Sequence, residues 1–87
     1  MFNADQSYNL SPQVLLRPEQ FGALAYHYGN RRLTFLRSDA LADLVRSLDG
    51  HATVAEALDV LDLSPQERKL YERSLESLAD CGVICAD

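Results

Sequence analysis

The stretch of residues 12–37 constrains the fold most, because it combines a tight-turn signal with short apolar runs on both sides. Gly29 and Asn30 separate two runs that alternate apolar and polar residues, a pattern typical of a β-hairpin closed by a two-residue turn. Glycine favours such a turn because it reaches positive φ without steric cost. The pattern predicts a three-stranded antiparallel sheet with strands at residues 13–17, 21–28 and 31–36.

Closure on two residues fixes the register of the hairpin. It predicts three cross-strand pairs of bulky residues on one face: Tyr28 with Arg31, Tyr26 with Leu33, and Leu24 with Phe35. We expect this face to pack against the core. The opposite face carries smaller or polar residues and is expected to be solvated: Ala23, Ala25, His27, Arg32, Thr34 and Leu36.

The third predicted strand is expected to lie at an open edge of the sheet. Unpaired N–H and C=O groups at such an edge can accept the backbone of another chain as an additional strand. This mode of binding requires no catalytic residue. The sequence leaves one alternative open, namely that the cations of this strand only keep an exposed edge soluble.

Three helix start signals follow the strands. Ser38, Thr53 and Ser64 are each placed to cap the first turn of a helix, and Thr53 and Ser64 each have a glutamate three residues later. Gly50 and Gly82 are placed to end the first and the third helix. The order predicts an α+β, winged-helix-like fold, in which a three-stranded antiparallel β-meander precedes three helices.

The third helix has more than one row of small or apolar side chains. The row expected to face the core comprises Tyr71, Leu75, Leu78 and Ala79. The adjacent row comprises Leu70, Ser74 and Ser77. Such a second row can accept a partner, although packing of Leu70 on the second helix explains it equally well.

The chain of 87 residues is expected to form one domain over residues 11–87, preceded by a flexible arm at residues 1–10. No apolar run approaches the ~20 residues of a membrane span. The first ten residues also lack the charged and apolar regions of a signal peptide. We therefore expect a cytoplasmic protein that does not bind membranes.

The net charge of −5 is unevenly distributed, with +1 over residues 1–46 and −6 over residues 47–87. The order of elements also fits a winged-helix DNA-binding regulator, which is the main alternative. A recognition helix that carries Glu67, Glu72 and Glu76 would be repelled by phosphates, so we expect no binding to nucleic acid. A small dimerisation or scaffold module is a third possibility.

No known catalytic or phosphate-binding motif occurs in the sequence. Cys81 and Cys85 are separated by three residues, which is a poor match to zinc spacing when His27 and His51 are the remaining nitrogen ligands. We expect both cysteines to be packing residues. The sequence therefore predicts neither an enzyme, nor a metal site, nor a cofactor.

Several residues in the strand region resemble a known family. They are Pro12-Gln13-Val14, Arg17-Pro18-Glu19, Phe21-Gly22-Ala23-Leu24, Tyr26-His27-Tyr28 and Arg31-Arg32-Leu33-Thr34-Phe35-Leu36. The segment resembles the peptide chaperones of mycofactocin biosynthesis, which are related to the pyrroloquinoline quinone peptide chaperones and belong to the RiPP recognition elements of ribosomally made, modified peptides. The resemblance is specific over residues 12–48 and looser over residues 51–84.

The resemblance implies a non-catalytic adaptor in the bacterial cytoplasm. Members of this family bind the leader region of a precursor peptide as an extra strand beside the third strand, with the third helix as the opposite wall. They deliver it to a radical S-adenosylmethionine maturase, which carries the iron–sulfur clusters. A chain of this kind needs no cofactor of its own.

The expected peptide-binding residues lie on the third strand and the third helix. They are Arg31, Arg32, Leu33, Thr34, Phe35, Leu36, Arg37, Lys69, Leu70, Arg73, Ser74 and Ser77. The strand backbone is expected to form the ladder, and the side chains of Leu33, Phe35, Leu70 and Ser74 to select peptide residues on the inward face. The cations are expected to attract an acidic leader.

Overall fold

Short strands occupy the first part of the chain and helices the second in the computed structural model, which describes residues 2–51 and 53–86. In chain order the elements are β1 (Tyr8–Leu10), β2 (Val14–Glu19), β3 (Gly22–His27), β4 (Arg32–Leu36), α1 (Asp39–Ser47), α2 (Val54–Val60), α3 (Pro65–Asp80) and β5 (Ile84–Ala86). A 3-10 turn at Leu48–Gly50 follows α1. The predicted arm and domain also include Met1, Ala52 and Asp87, which lie outside the described residues.

The strands β2, β3 and β4 form an antiparallel meander in that order. The three helices follow it in the chain. The predicted α+β architecture, a three-stranded antiparallel sheet followed by three helices, is therefore confirmed. The finer likeness to a winged helix stays a prediction.

The predicted register of the hairpin is confirmed, but the prediction of a two-residue turn is wrong. Tyr26 pairs with Leu33, and Leu24 pairs with Phe35, as expected. The loop between β3 and β4 spans residues 28–31, so it has four residues rather than two. The residue with positive φ is Arg31, at 59°, and not a glycine of the loop.

The two faces of the sheet are the reverse of the prediction. Ala23, Ala25 and Leu36 are at most 1% exposed, whereas Leu33 and Phe35 are 58% and 55% exposed. The small alanines face the core because α1 contacts β3 there, and its bulky side chains occupy the space that larger residues on the sheet would need. The bulky residues of the hairpin are left on the outer face of the sheet.

The core lies between the inner face of the sheet and the three helices. Its largest fully buried side chains come from β4, the helices and the C-terminal segment: Leu36, Val45, Leu48, Val54, Leu58, Leu75, Val83 and Ile84. All three predicted N-caps accept a backbone N–H: Ser38 from Leu41, Thr53 from Glu56, and Ser64 from Glu67. At the other end of α3, Gly82 takes a φ of 85°, which completes the predicted stop.

A second, two-stranded sheet joins the ends of the chain, since β1 pairs antiparallel with β5. Tyr8 in β1 is only 5% exposed. Before β1, the backbone oxygens of Ala4 and Gln6 accept hydrogen bonds from the N–H groups of Ala55 and Val54. The flexibility predicted for residues 1–10 stays a prediction, but these contacts show that residues 4–10 pack against the domain.

No helix in the described residues is long and apolar enough to cross a membrane.

Replacement of Gly22 by alanine is expected to destabilise the fold. Gly22 has a φ of 137°, and a Cβ atom there would overlap the backbone oxygen of Leu36 and lie 2.8 Å from the nitrogen of Ser38. We expect Gly22→Ala to lower the free energy of unfolding by more than about 2 kcal/mol in urea titrations, or to prevent folding.

The matched control is Gly50→Ala, because a Cβ atom at Gly50 meets nothing within 4 Å. This variant is expected to stay within about 0.5 kcal/mol of the native chain. Equal stability losses in the two variants would contradict the close approach of the first residue of β3 to the end of β4 and the segment that follows it.

Candidate functional site

A groove lies between β4 and α3. Among the described strands, β4 pairs only with β3, so it is an edge strand of its sheet. The groove has a volume of about 300 Å³ and is lined by residues from the end of β4, from α1 and from α3: Thr34, Phe35, Leu36, Arg37, Leu41, Ser74, Ser77 and Leu78.

The groove has an apolar floor and a wall of small hydroxyl side chains. The floor is formed by three residues of the buried core, Leu36, Leu41 and Leu78, so their side chains are held in place by packing. Ser74 and Ser77 form the α3 side. Small side chains on a helix leave space beside a strand, and their hydroxyl groups can donate and accept hydrogen bonds. The groove therefore suits an extended segment with both apolar and polar groups.

The backbone of β4 supplies hydrogen-bonding groups along the same edge. In an antiparallel edge strand, alternate residues direct their N–H and C=O groups away from the neighbouring strand. Such groups need a partner, which is either water or an added strand. The five residues of β4, Arg32–Leu36, thus offer a short template for main-chain pairing.

Cys81 lies close to the strand side of the site. Its Sγ atom is 3.8 Å from Oγ1 of Thr34 and 3.6 Å from the backbone oxygen of Leu78. Cys81 follows Leu70, Ser74 and Ser77 at helical spacing, so the row identified in the sequence continues into the C-cap of α3. That spacing was the signal that could have located Cys81 at the site.

Six of the twelve residues expected to bind peptide line the groove: Thr34, Phe35, Leu36, Arg37, Ser74 and Ser77. The inward orientation predicted for the side chains of Leu33 and Phe35 is wrong. Both share the outer face of the sheet with Leu24 and Tyr26, their cross-strand partners, and the ring of Phe35 packs edge-on against Phe21 with centroids 5.5 Å apart. The inward positions of β4 are those of Arg32, Thr34 and Leu36.

Lys69 and Arg73 border a different hollow. It is lined by residues 2–4 together with Lys69, Arg73 and two acidic residues of α3, Glu72 and Glu76. The two cations therefore lie among carboxylates rather than along β4. Leu70 is 62% exposed, so the alternative in which it packs on α2 is not supported.

A salt bridge connects α3 to α2. The guanidinium of Arg68 donates to Oδ1 of Asp59 over 2.6 Å, and its Nε lies 3.4 Å from Oε1 of Glu72. The hydrogen bond to Asp59 is the main cause of a raised pKa for Arg68. Together with the capping box of Ser64 and Glu67, these contacts orient the helix that forms one wall of the groove.

The side chain of His27 organises the turn that leads into β4. Its Nδ1 atom accepts hydrogen bonds from the backbone N–H groups of Gly29, at 3.0 Å, and Asn30, at 3.2 Å. Asn30 in turn accepts from the N–H group of Arg32 over 2.9 Å. The sequence places His27 and Arg32 on the same face of the hairpin, and the structure pairs them across the strands. The sequence gives no sign of the role of His27 as an acceptor in the turn.

The two cysteines differ in their surroundings. Cys81 is half-buried and packs against the core, as predicted, whereas Cys85 is exposed, so the packing role predicted for it is wrong. Within residues 2–51 and 53–86, no group of three or more His, Cys, Asp or Glu side chains is placed to hold a metal ion.

The fold and the groove define a small α+β domain with a shallow site at a sheet edge. The chain belongs to the Peptide chaperone MftB family, whose sequence model matches residues 7–85. This assignment confirms the family resemblance found in the sequence. A peptide chaperone has a non-catalytic role, so the expectation that the chain is not an enzyme is also confirmed.

Proteins of mycobacteria are similar to the chain over 83 residues, which are 95% of its length. It is 40% identical to the peptide chaperone MftB of Mycobacterium ulcerans, over 76% of that protein. The identity is 35% to MftB of Mycolicibacterium smegmatis, over 81% of it, and 32% to MftB of Mycobacterium tuberculosis, over 76%. No solved structure matches the chain significantly.

Loss of the His27 imidazole is expected to loosen the turn before β4. His27→Ala removes the acceptor of two N–H groups, so we expect the free energy of unfolding to fall by about 0.5–1.5 kcal/mol. Amide exchange at Gly29 and Asn30 should become faster. His51→Ala is the control, since the imidazole of His51 lies 3.7 Å from Oε1 of Glu56, outside the hairpin. Unchanged exchange at Gly29 and Asn30 in His27→Ala would contradict the proposed role.

Proposed function

We propose that the chain captures the leader region of a ribosomally made precursor peptide in the groove between β4 and α3, and delivers it to a radical S-adenosylmethionine maturase in mycofactocin biosynthesis. The observation that carries this proposal is the open edge of β4 beside a groove walled by α3. Membership of a peptide chaperone family supports a peptide as the guest.

Backbone pairing supplies the first part of the affinity. A leader segment that adds to β4 runs along its five residues and gains main-chain hydrogen bonds with the alternate ones whose N–H and C=O groups point away from β3. These bonds depend little on the sequence of the leader. The edge groups of β4 exchange water for peptide amides, so the net gain is about 0.5–1.5 kcal/mol for each bond.

Side-chain contacts supply selectivity. Successive residues of an added strand point to opposite faces of the sheet. Every second residue of the leader therefore faces the apolar floor formed by Leu36, Leu41 and Leu78, while Ser74 and Ser77 contact it from α3. Burial of an apolar leader side chain on this floor contributes about 25 cal/mol per Å² of apolar surface removed from water.

Positive charge at both ends of β4 favours an acidic leader. Arg37 lines the groove, and Arg31 and Arg32 are exposed at the opposite end of β4. Exposed rim charges chiefly accelerate association and select the register, with about 0–1 kcal/mol each. Lys69 and Arg73 contribute less to the attraction of an acidic leader, because Glu72 and Glu76 border the same hollow.

The delivery step rests on the family resemblance. In this proposal the maturase brings the iron–sulfur clusters and the S-adenosylmethionine, and the chain presents the peptide in the bacterial cytoplasm. A DNA-binding regulator is disfavoured, because α3 carries Glu67, Glu72, Glu76 and Asp80 and the guanidinium of Arg68 already pairs with carboxylates.

A bulky side chain in the groove is expected to block the peptide. Ser77→Trp fills the α3 side of the groove, so we expect the dissociation constant for the leader of the precursor peptide encoded beside the chain to rise by at least about tenfold in calorimetric titrations. The control Ser47→Trp makes the same chemical change at the exposed end of α1 and should leave the affinity within about twofold.

Circular dichroism of both variants is the control for retention of the fold. Equal affinities of a folded Ser77→Trp variant and the native chain would contradict binding in this groove. Duplex DNA that binds in ~50 mM salt, with an affinity that falls as salt rises, would favour the regulator instead.

A further inference from the structure

The outer face of the β2–β3–β4 sheet carries a continuous set of large apolar side chains. The register aligns Leu15, Tyr26 and Leu33 in one row across the three strands, and Arg17, Leu24 and Phe35 in the next. Phe21 and Tyr28 extend these rows at the turns, where their rings pack edge-on against Phe35 and Tyr26.

Most of these side chains are exposed, whereas those of Leu24 and Tyr26 are half-buried. Leu15 is 54% exposed, and Leu33 and Phe35 exceed that fraction. Single exposed apolar residues are common on protein surfaces, but a face that spans three strands is a mark of an interaction site. The exposure is a consequence of the core, because the inner face of the same sheet uses its alanines to contact α1.

One end of this face contains a hollow suited to an anchoring side chain. Phe21, Phe35 and Arg37 surround a space of about 310 Å³. Two aromatic rings provide the apolar wall, and the guanidinium of Arg37 provides a charged rim. Binding energy in protein interfaces concentrates in such pockets, where an aromatic or aliphatic anchor is fully removed from water.

Three arginines lie within or beside the face, although the chain is acidic as a whole. Arg17 lies within the face, Arg37 borders its hollow, and Arg31 is exposed in the adjoining turn. Glu19 is the acidic residue of β2 on this side and lies 3.5 Å from Arg17. Two copies packed through this face would bring their arginines together, since a two-fold contact places the same patch on both partners.

We propose that the outer sheet face docks the enzyme that modifies the captured peptide, through a surface of that enzyme with an apolar centre and a rim of carboxylates. This inference rests on the proposed function and adds the surface used for delivery. The complementary charges accelerate encounter and discriminate against self-association. The apolar centre then supplies the affinity.

The position of the face fits a delivery role. The strand β4 contributes its edge to the groove and its outward side chains, Leu33 and Phe35, to the docking face. A peptide added to β4 would lie about 5 Å from that strand, the spacing of paired strands. An enzyme seated on the outer face therefore reaches the peptide at the rim of its own contact surface, and the groove stays open to the leader.

The test compares Leu15→Glu with Val60→Glu. Leu15 lies on β2, outside the groove, and Val60 is a 68% exposed residue at the end of α2, so each variant replaces an exposed aliphatic side chain by glutamate. The probes are the maturase encoded with the chain and the leader peptide. We expect Leu15→Glu to weaken maturase binding by at least about tenfold. Its affinity for the leader should remain within about twofold of native, and Val60→Glu should behave as the native chain does towards both probes.

The outcomes separate this inference from the proposed function. Native binding of maturase by a folded Leu15→Glu variant overturns the docking face and leaves leader capture intact. Failure of the native chain to bind the maturase overturns delivery itself, whereas failure to bind the leader overturns the groove. Two further results would assign the face to another partner and overturn the inference. One is a dimer of the native chain, seen by sedimentation, that Leu15→Glu abolishes. The other is binding of the native chain to vesicles of anionic phospholipid that Leu15→Glu loses while it still binds the maturase.

Discussion

The contact between α1 and the alanine face of β3 is the interaction on which the rest of the structure depends. Ala23 and Ala25 are almost fully buried, and their small side chains let the helix pack closely against the sheet. Because neighbouring residues of a strand point to opposite faces of the sheet, burial of these alanines places Leu24 and Tyr26 on the outer face. The exposed apolar face follows from it.

The strand β4 serves two surfaces with different chemistry. Its open edge and its inward residues Thr34 and Leu36 border the groove, where backbone groups and small hydroxyls favour an extended peptide. Its outward residues Leu33 and Phe35 belong to an apolar face with arginines at the rim. One element can thus hold a guest and contact the partner that receives it, without a catalytic residue of its own.

Features set by local sequence could be predicted, and those set by packing could not. The caps at Ser38, Thr53 and Ser64 and the hairpin register follow from short-range patterns, and they are present in the structure. Alternation along a strand shows which residues share a face of the sheet, but not which face is buried. Hydrophobicity alone predicts burial of the face with the large side chains. In the structure the face with the small side chains is buried, because the helices fill the space above it. The pairing of β1 with β5 joins the two ends of the chain through three-residue strands, which carry too weak a pattern to be found. The sequence identified six of the residues that line the groove: Thr34, Phe35, Leu36, Arg37, Ser74 and Ser77. It did not identify Leu41 and Leu78, which complete the apolar floor.

Intermolecular nuclear Overhauser effects between the leader peptide and the isotope-labelled chain test leader capture most directly. Addition of the leader as an antiparallel or parallel strand predicts backbone contacts from successive leader residues to residues 32–36, together with side-chain contacts to Ser74 and Ser77. Contacts confined to α2, or to the outer face with the β4 edge unaffected, would contradict capture by strand addition in the groove.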